Sequence, residues 1–363
     1  MSTRLTEPRG WAFEEARPAA IEQTLERQRR EDERATGPLV RASVANLVVV
    51  TPDRSRGQQA LATVEALGGR APSRCVVLVA KPPEGKPGVR AWARVVHRRP
   101  GVGPELVWEE VVVQTNVHPR HLTAVVLPLL LPELPVFTWW TGTPPFDEEV
   151  FDELASVSDR LVVDSATFAE PLGGLVRLAR AAPGLHPALS DAAWGRLTPW
   201  RELLAAPFNG PPFRGAWDRV TAVRVDAVEP AAGLLLVGWL ASRLGWRLTR
   251  AEAREDELLG WYDLEHGSCE ARVATVIGSS SLTRVELECA SDVGPATVRV
   301  QSPPGFLVGT VAAPGHAGRR HVGVGDGTTG ELAGLAAELQ VFGRDRIFEE
   351  ALGPAAALAQ AAG

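Results

Sequence analysis

Pro128-Leu-Leu-Leu-Pro132-Glu-Leu-Pro135-Val-Phe-Thr-Trp139-Trp140 and the following Ser158-Asp159-Arg160-Leu-Val-Val-Asp164-Ser165 decide the fold class. Each run holds a short, largely apolar stretch of strand length. Prolines fence the first on its N-terminal side, because a residue without an N–H fits poorly inside a sheet. Between the two lies an acidic stretch, Phe146 to Ala155, that reads as a helix. Strand, helix and strand make a βαβ unit of parallel type. Ligands of α/β proteins bind at the C-terminal ends of such strands, so Asp159, Arg160, Asp164 and Ser165 form the first candidate site. A purely structural role is the competing expectation: Arg160 pairs with a carboxylate, and Asp164 and Ser165 cap the next helix.

Upstream, the pattern keeps alternating between strand and helix. Strand 44–50 leads to a helix at 55–67 that ends at Gly68-Gly69, a C-cap signal. Strand 74–80 follows, and strands 90–96 and 106–114 read as an antiparallel hairpin. A helix from His118 to Leu127 leads into strand 134–140, and strand 160–164 and a helix at 171–180 complete the body. The expected first domain, 41–182, is therefore α/β with a largely parallel mixed sheet. Residues 1–40 are a charged segment in which Ala16, Ala20, Ile21 and Leu25 recur at helical spacing. That helix is available to dock on its own domain or on a partner.

Downstream, Ala182-Pro-Gly-Leu-His-Pro187 and Pro207-Phe-Asn-Gly-Pro-Pro-Phe-Arg-Gly215 read as linkers, with one helix carrying Trp194 and Trp200 between them. The remainder, 183–363, reads as a smaller α+β domain. Its elements are strand 219–227, an apolar helix 231–243, five strands between 257 and 312, and a last helix from Glu331.

Composition bounds the function. A chain of 363 residues exceeds what one hydrophobic core sustains, which favours two domains. Hydrophobic residues at 45% and charged residues at 23% are ordinary for a globular protein. The net charge of −6 gives no basic face for nucleic acid. No apolar run is long enough to span a membrane, and the N-terminus lacks a signal-peptide core. Three scattered cysteines make no disulfide framework. A cytoplasmic location is expected.

Recognisable catalytic sets are missing. Gly325-Asp-Gly327-Thr-Thr-Gly330 matches the glycine pattern of a dinucleotide loop, but too little chain follows to complete that fold. It reads as an ordinary glycine loop. His118 and His121 share a helix face without a third ligand, and His316 and His321 flank Arg319-Arg320 in an expected loop, so no metal is assigned. No nucleophile elbow or Walker loop occurs. No cofactor is expected. Trp139, Trp140, Trp239 and Trp246 lie in apolar stretches and read as core. Trp194, Arg196, Trp200 and Arg201 are the residue types of binding hot spots, or of a packed domain seam.

These strings resemble the OpcA family of glucose-6-phosphate dehydrogenase assembly proteins. The resemblance extends to Arg41-Ala-Ser-Val-Ala-Asn46-Leu-Val-Val-Val, to Ala71-Pro72-Ser73-Arg74-Cys75-Val-Val-Leu, to Asp191-Ala-Ala-Trp194-Gly-Arg196-Leu-Thr-Pro199-Trp200-Arg201-Glu202 and to Gly238-Trp239-Leu-Ala-Ser-Arg243-Leu-Gly-Trp246. It covers Arg41 to Trp246 and continues weakly to the end. It implies a non-catalytic partner that binds glucose-6-phosphate dehydrogenase and promotes its active oligomer, while the dehydrogenase supplies the NADP chemistry. Arg74, Trp139, Trp140, Asp159, Arg160, Asp164, Ser165, Trp194, Arg196, Trp200 and Arg201 are the candidate partner or ligand surface. The alternatives are a sugar-phosphate or nucleotide-binding enzyme using the Asp159–Ser165 cluster, or a metabolite sensor whose effector sits at Arg74 or on the 325–330 loop.

Redox control, implied by the same resemblance for some family members, directs attention to Cys269 and Cys289. A tight Gly278–Ser281 turn would pair strands 269–277 and 282–290. One register of that hairpin sets the two cysteines opposite each other and Arg272 opposite Glu286; a register two residues away separates them. Both registers stay open on sequence alone.

Overall fold

The computed structural model describes residues 17–36, 40–41, 43–67, 73–80, 86–98, 106–323, 331–340 and 343–362. The chain divides into two compact units. One comprises the residues up to Val163 together with Leu185–Ala188, the other Asp164–Gly184 and everything from Leu189 onward.

The first unit contains α1 (Pro18–Thr36), β1 (Val40–Arg41), β2 (Ala45–Thr51), α2 (Arg54–Leu67), β3 (Ser73–Ala80), β4 (Val89–Arg98), β5 (Leu106–Thr115), α3 (Leu122–Val126), β6 (Val136–Trp140), α4 (Glu149–Ser156) and β7 (Arg160–Val163). Its strands lie in the order β1-β5-β3-β2-β6-β7, with β4 on β5. Every pairing is parallel except β4 with β5. Counting the central five in chain order gives 3-2-1-4-5, the order of the Rossmann-type dinucleotide fold, with its switch point between β2 and β6. All seven residues of β2 are buried, as a strand covered on both faces requires.

The Pro/Leu run that opens β6 is held by one buried side chain. Asn46 donates to the carbonyls of Leu131 (3.0 Å) and Leu134 (3.1 Å) and accepts from the Leu131 N–H (2.7 Å). Trp139 and Trp140 then point to opposite faces of the sheet, Trp140 against Phe151 of α4. The helix expected from His118 to Leu127 forms as α3 between two 3₁₀ turns, Pro119–His121 and Leu127–Leu129.

The second unit begins with α5 (Pro171–Ala181), and β8 (Ala188–Asp191) follows at its boundary with the first. It continues with α6 (Ala192–Arg196), α7 (Thr198–Ala205), β9 (Val220–Ala227), α8 (Pro230–Leu244), β10 (Arg247–Arg254), β11 (Glu257–Leu264), β12 (Gly267–Thr275), β13 (Leu282–Ser291), β14 (Gly294–Gln301), β15 (Phe306–Ala313), β16 (His316–Gly323), α9 (Glu331–Glu338) and α10 (Arg346–Ala362). Its eight-stranded sheet runs β10-β11-β12-β9-β13-β14-β15-β16. The β9–β12 pair is parallel and the rest antiparallel. α8 is apolar nearly all round because the sheet buries one side of it and α10 the other. A Cβ at Gly238 would stand 2.3 Å from the Ala351 carbonyl, so only glycine permits that helix crossing.

Several expectations are corrected. β12 and β13 do not form a hairpin, because β9 lies between them and pairs with both. Arg272 therefore lies beside Arg224 and not Glu286, and Arg224 is the residue next to Glu286. The single helix expected to carry Trp194 and Trp200 is broken into α6 and α7, with Pro199 in the first turn of the second. The expected loop around His316 and His321 is strand β16, and the expected last helix is two helices. The Gly68-Gly69 cap and the 325–330 loop lie outside the described residues.

Candidate functional site

Two buried polar clusters stand out, one in each unit. In the first, Arg74 projects from β3 and is almost wholly buried. Its Nε donates to Glu109 of β5 (2.8 Å) and its terminal nitrogens to the Leu129 carbonyl (2.9 Å), Glu22 and Glu109. Arg29 of α1 adds a second ion pair to Glu109 at 3.0 Å. Burial alone would lower the Arg74 pKa, but Glu22 and Glu109 more than offset it and raise it. Two carboxylates and a carbonyl thus occupy the guanidinium expected to receive an effector. The cluster fastens α1, whose Ile21 and Leu25 are buried, to its own sheet.

In the second unit, two aspartates repeat one local design. Asp164 follows a strand and its side chain accepts from the Ala166 N–H, capping a 3₁₀ turn. Asp191 ends β8 and accepts from the Ala193 N–H (2.9 Å), capping α6, and from the Ser165 N–H (3.1 Å). Arg196 grips Asp164 with two bonds of 2.8 Å, a bidentate pair, and reaches Glu229 and the Ser281 hydroxyl at 3.3 Å. Burial opposes the charge on Arg196, yet Asp164, Glu229 and Asp191 together raise its pKa. Asp191 goes the other way: burial first, then the Asp164 charge, pushes its carboxyl up to about 6. Its Oδ2 is buried without a hydrogen-bond partner among the described residues.

Trp194 and Arg201 form a neighbouring stack in the same unit. The Arg201 guanidinium lies 3.4 Å from the Trp194 ring centre, and the indole N–H donates to Asp345 at 2.8 Å. Phe348 of α10 packs against the same ring. Burial brings the Arg201 pKa down to about 10, opposed by Asp345, Glu338 and Glu202. Trp194 and Trp200 are only 2% and 4% exposed, so they are interior residues of this unit.

The candidate residues therefore separate into groups. Asp164, Ser165 and Arg196 come together, joined by Asp191, Glu229 and Ser281, which sequence reasoning did not place in the site. Asp159 and Arg160 stand at the opposite end of β7, where Asp159 accepts from the Val136 N–H (2.8 Å) and Arg160 is buried. Four strand residues span about 13 Å, so the expected four-residue constellation does not form. Trp139 lies inside the first sheet. Asp191 occupies the same kind of place as Asp164, an aspartate that follows a strand and caps the next helical turn, but its four-residue strand Ala188–Asp191 is too short to be read from the sequence. His118 and His121 are neighbours whose ring centres are 6.5 Å apart, and no metal-binding group of three His, Cys, Asp or Glu side chains occurs among the described residues.

A Rossmann-type sheet followed by a large, mostly antiparallel sheet defines a two-domain class known from solved oxidoreductases. Two structures of KijD10, a 3-ketoreductase from Actinomadura kijaniata, illustrate it. The open conformation in complex with TDP-benzene and NADP gives a TM-score of 0.51, at 11% identity over 88% of this chain and 97% of that one. The complex with NADP gives 0.50 with the same identity and coverage. At that identity the likeness is one of fold.

The fold raises the question of a dinucleotide, and the residues at the switch point do not fit one. The turn after β2 is Thr51-Pro52-Asp53-Arg54-Ser55-Arg56-Gly57. Of the three fingerprint glycines only the last survives, as Gly57, where a Cβ would sit 3.2 Å from Val77 of β3. Pro52 and Arg54 hold the other two places. Pro52 offers no N–H to a pyrophosphate, and Arg54, stacked at 4.6 Å over Trp92, brings a side chain where backbone must approach.

Family models settle membership. Residues 64–180 match the OpcA model for the N-terminal domain of the glucose-6-phosphate dehydrogenase subunit, and residues 187–352 match the model for its C-terminal domain. The chain belongs to the OpcA family. A Nostoc punctiforme protein named as an OxPP cycle protein OpcA is 30% identical over 260 residues, 64% of this chain and 53% of that protein. A Synechocystis protein of the same name is 35% identical over 129 residues, 35% of this chain and 27% of its own length. The chain spans about half the length of the first of these relatives.

Proposed function

We propose that this chain is a non-catalytic partner of a glucose-6-phosphate dehydrogenase and promotes that enzyme's active oligomer in the oxidative pentose phosphate pathway. The observation that carries the proposal is the pair of family matches, which between them take in both units of the molecule. The relatives' names supply the pathway. The turn at Pro52 and Arg54 supports it, since a dinucleotide on this fold needs a close approach of backbone where this chain has a proline without an N–H and an arginine with a large side chain. The proposed location is the cytoplasm; no helix among the described residues is long and apolar enough to cross a membrane.

Such a protein acts by mass action. It binds the active form of the enzyme more tightly than the inactive form, and the population shifts by the difference in binding free energy. The test is size-exclusion chromatography with light scattering on the mixed proteins, alongside an NADP titration of this chain alone. The expected result is a heavier species containing both proteins, and no saturable NADP binding by the isolated chain. Separate elution at concentrations of about 10 μM, where micromolar complexes persist, would overturn the partnership.

A further inference from the structure

Residues of the second sheet alternate between a side packed under helices and an open side. Val223, Val285 and Val298 are buried on the first, while Arg224, Glu286 and Arg299 lie on the other. Strand register lines Glu286, Arg299, Thr310 and Arg319 up across β13 to β16 on that open side. Close to the turn that follows β14, the surface hollows into a cavity of about 550 Å³, lined in part by Arg299, Gln301, Ser302, Thr310 and Arg319. That volume suits a ligand the size of a hexose phosphate.

The charges decide the ligand class. Arg299 is matched by Glu286 at 2.5 Å. Arg319 has no carboxylate partner among the described residues, and no carboxylate lines the cavity. One uncompensated guanidinium with a fork of N–H donors therefore faces a hollow whose other polar groups are an amide and hydroxyls. Those groups suit a phosphate at one end and sugar hydroxyls at the other. We propose that this cavity binds a phosphorylated sugar, with Arg319 on the phosphate and Gln301 and Ser302 on the hydroxyls. The competing role for Arg319 is to discourage pairing at an exposed sheet edge, since β16 is the last strand.

Arg320 provides the control. It carries the same charge on the same strand, but it pairs with Gly309, whose Cβ position faces Leu203 of α7 on the packed side of the sheet, so it points away from the cavity. The experiment is calorimetric or NMR titration of the isolated chain at fixed ionic strength with glucose 6-phosphate, glucose and inorganic phosphate, repeated on Arg319→Gln, Arg320→Gln and Gln301→Ala. Glucose 6-phosphate is expected to saturate the protein with a Kd of about 1 mM or tighter, and glucose is not. Arg319→Gln should weaken it by about tenfold or more, the scale of a lost charge-assisted bond, while Arg320→Gln stays within about twofold. Gln301→Ala should weaken it with the protein's charge unchanged. Equal losses in the two arginine variants would reduce the effect to diffuse charge and overturn the site. So would inorganic phosphate binding as tightly as glucose 6-phosphate, or no saturation at all. None of these readouts involves the dehydrogenase, so this site and the partnership stand or fall separately.

Discussion

Asp191 is a carboxylate with one oxygen served and one not. Oδ1 takes two backbone N–H groups, whereas Oδ2 is buried beside the Asp164 charge with no partner among the described residues. The only guanidinium of the cluster is committed to Asp164. The folded state therefore holds a proton on Asp191 up to about pH 6, against 3.8 in a solvated carboxyl. A native pKa above the unfolded one means that this group's contribution is fully present below about pH 4 and is lost as pH rises through 6. The difference amounts to about 3 kcal/mol at neutral pH, at 1.36 kcal/mol per pH unit. Asp191→Asn keeps an N-cap acceptor and removes the titration. Its thermal midpoint should stay level between pH 5 and 7.5 while that of the unaltered protein falls, as followed by circular dichroism. Parallel curves for the two proteins would contradict this account of the cluster.

At the scale of elements, legibility followed burial. β2, β3, β6 and β7 bury both faces and stood out as apolar runs, and β12 to β14 alternate cleanly between buried and open positions. β10 and β16 were missed because they are the two edges of the second sheet and bury almost nothing, so no hydrophobic period marks them. β8 was missed because four residues between a proline and a helix are too short to show a period. The order β12-β9-β13 was invisible for a different reason. Four residues between two strands favour a hairpin, and nothing local reveals that a strand from fifty residues earlier fills the gap. The same blindness applies to the site: Asp164 and Arg196 were singled out, but Glu229 and Ser281 join them only through tertiary contacts.

That strand order carries a consequence for the thiols. Cys269 lies opposite Tyr262 and Cys289 opposite Ala296, and β9 separates the two cysteine strands. All three cysteines are buried, and burial pushes Cys269 up to about 12 and raises the other two. A protonated, buried thiol is a poor nucleophile. Mild oxidant should leave three free thiols in the native protein by thiol titration. Mass spectrometry showing a Cys269–Cys289 bridge with the fold intact would contradict the strand order itself.

Across the whole molecule, a dinucleotide-type fold carries a turn that does not suit a dinucleotide, within a family whose models are named for the dehydrogenase subunit. The likeness to solved structures is one of fold and assigns no activity by itself. A chain that works through the dehydrogenase, as proposed, must change that enzyme's turnover, and titrating the chain into a fixed, dilute amount of the enzyme while recording initial rates of NADPH formation reads this out. The expected result is a saturable rise in rate whose midpoint coincides with the midpoint of complex formation in the same buffer. A rate that stays flat while the complex demonstrably forms, or a flat rate with no complex at all, would contradict it.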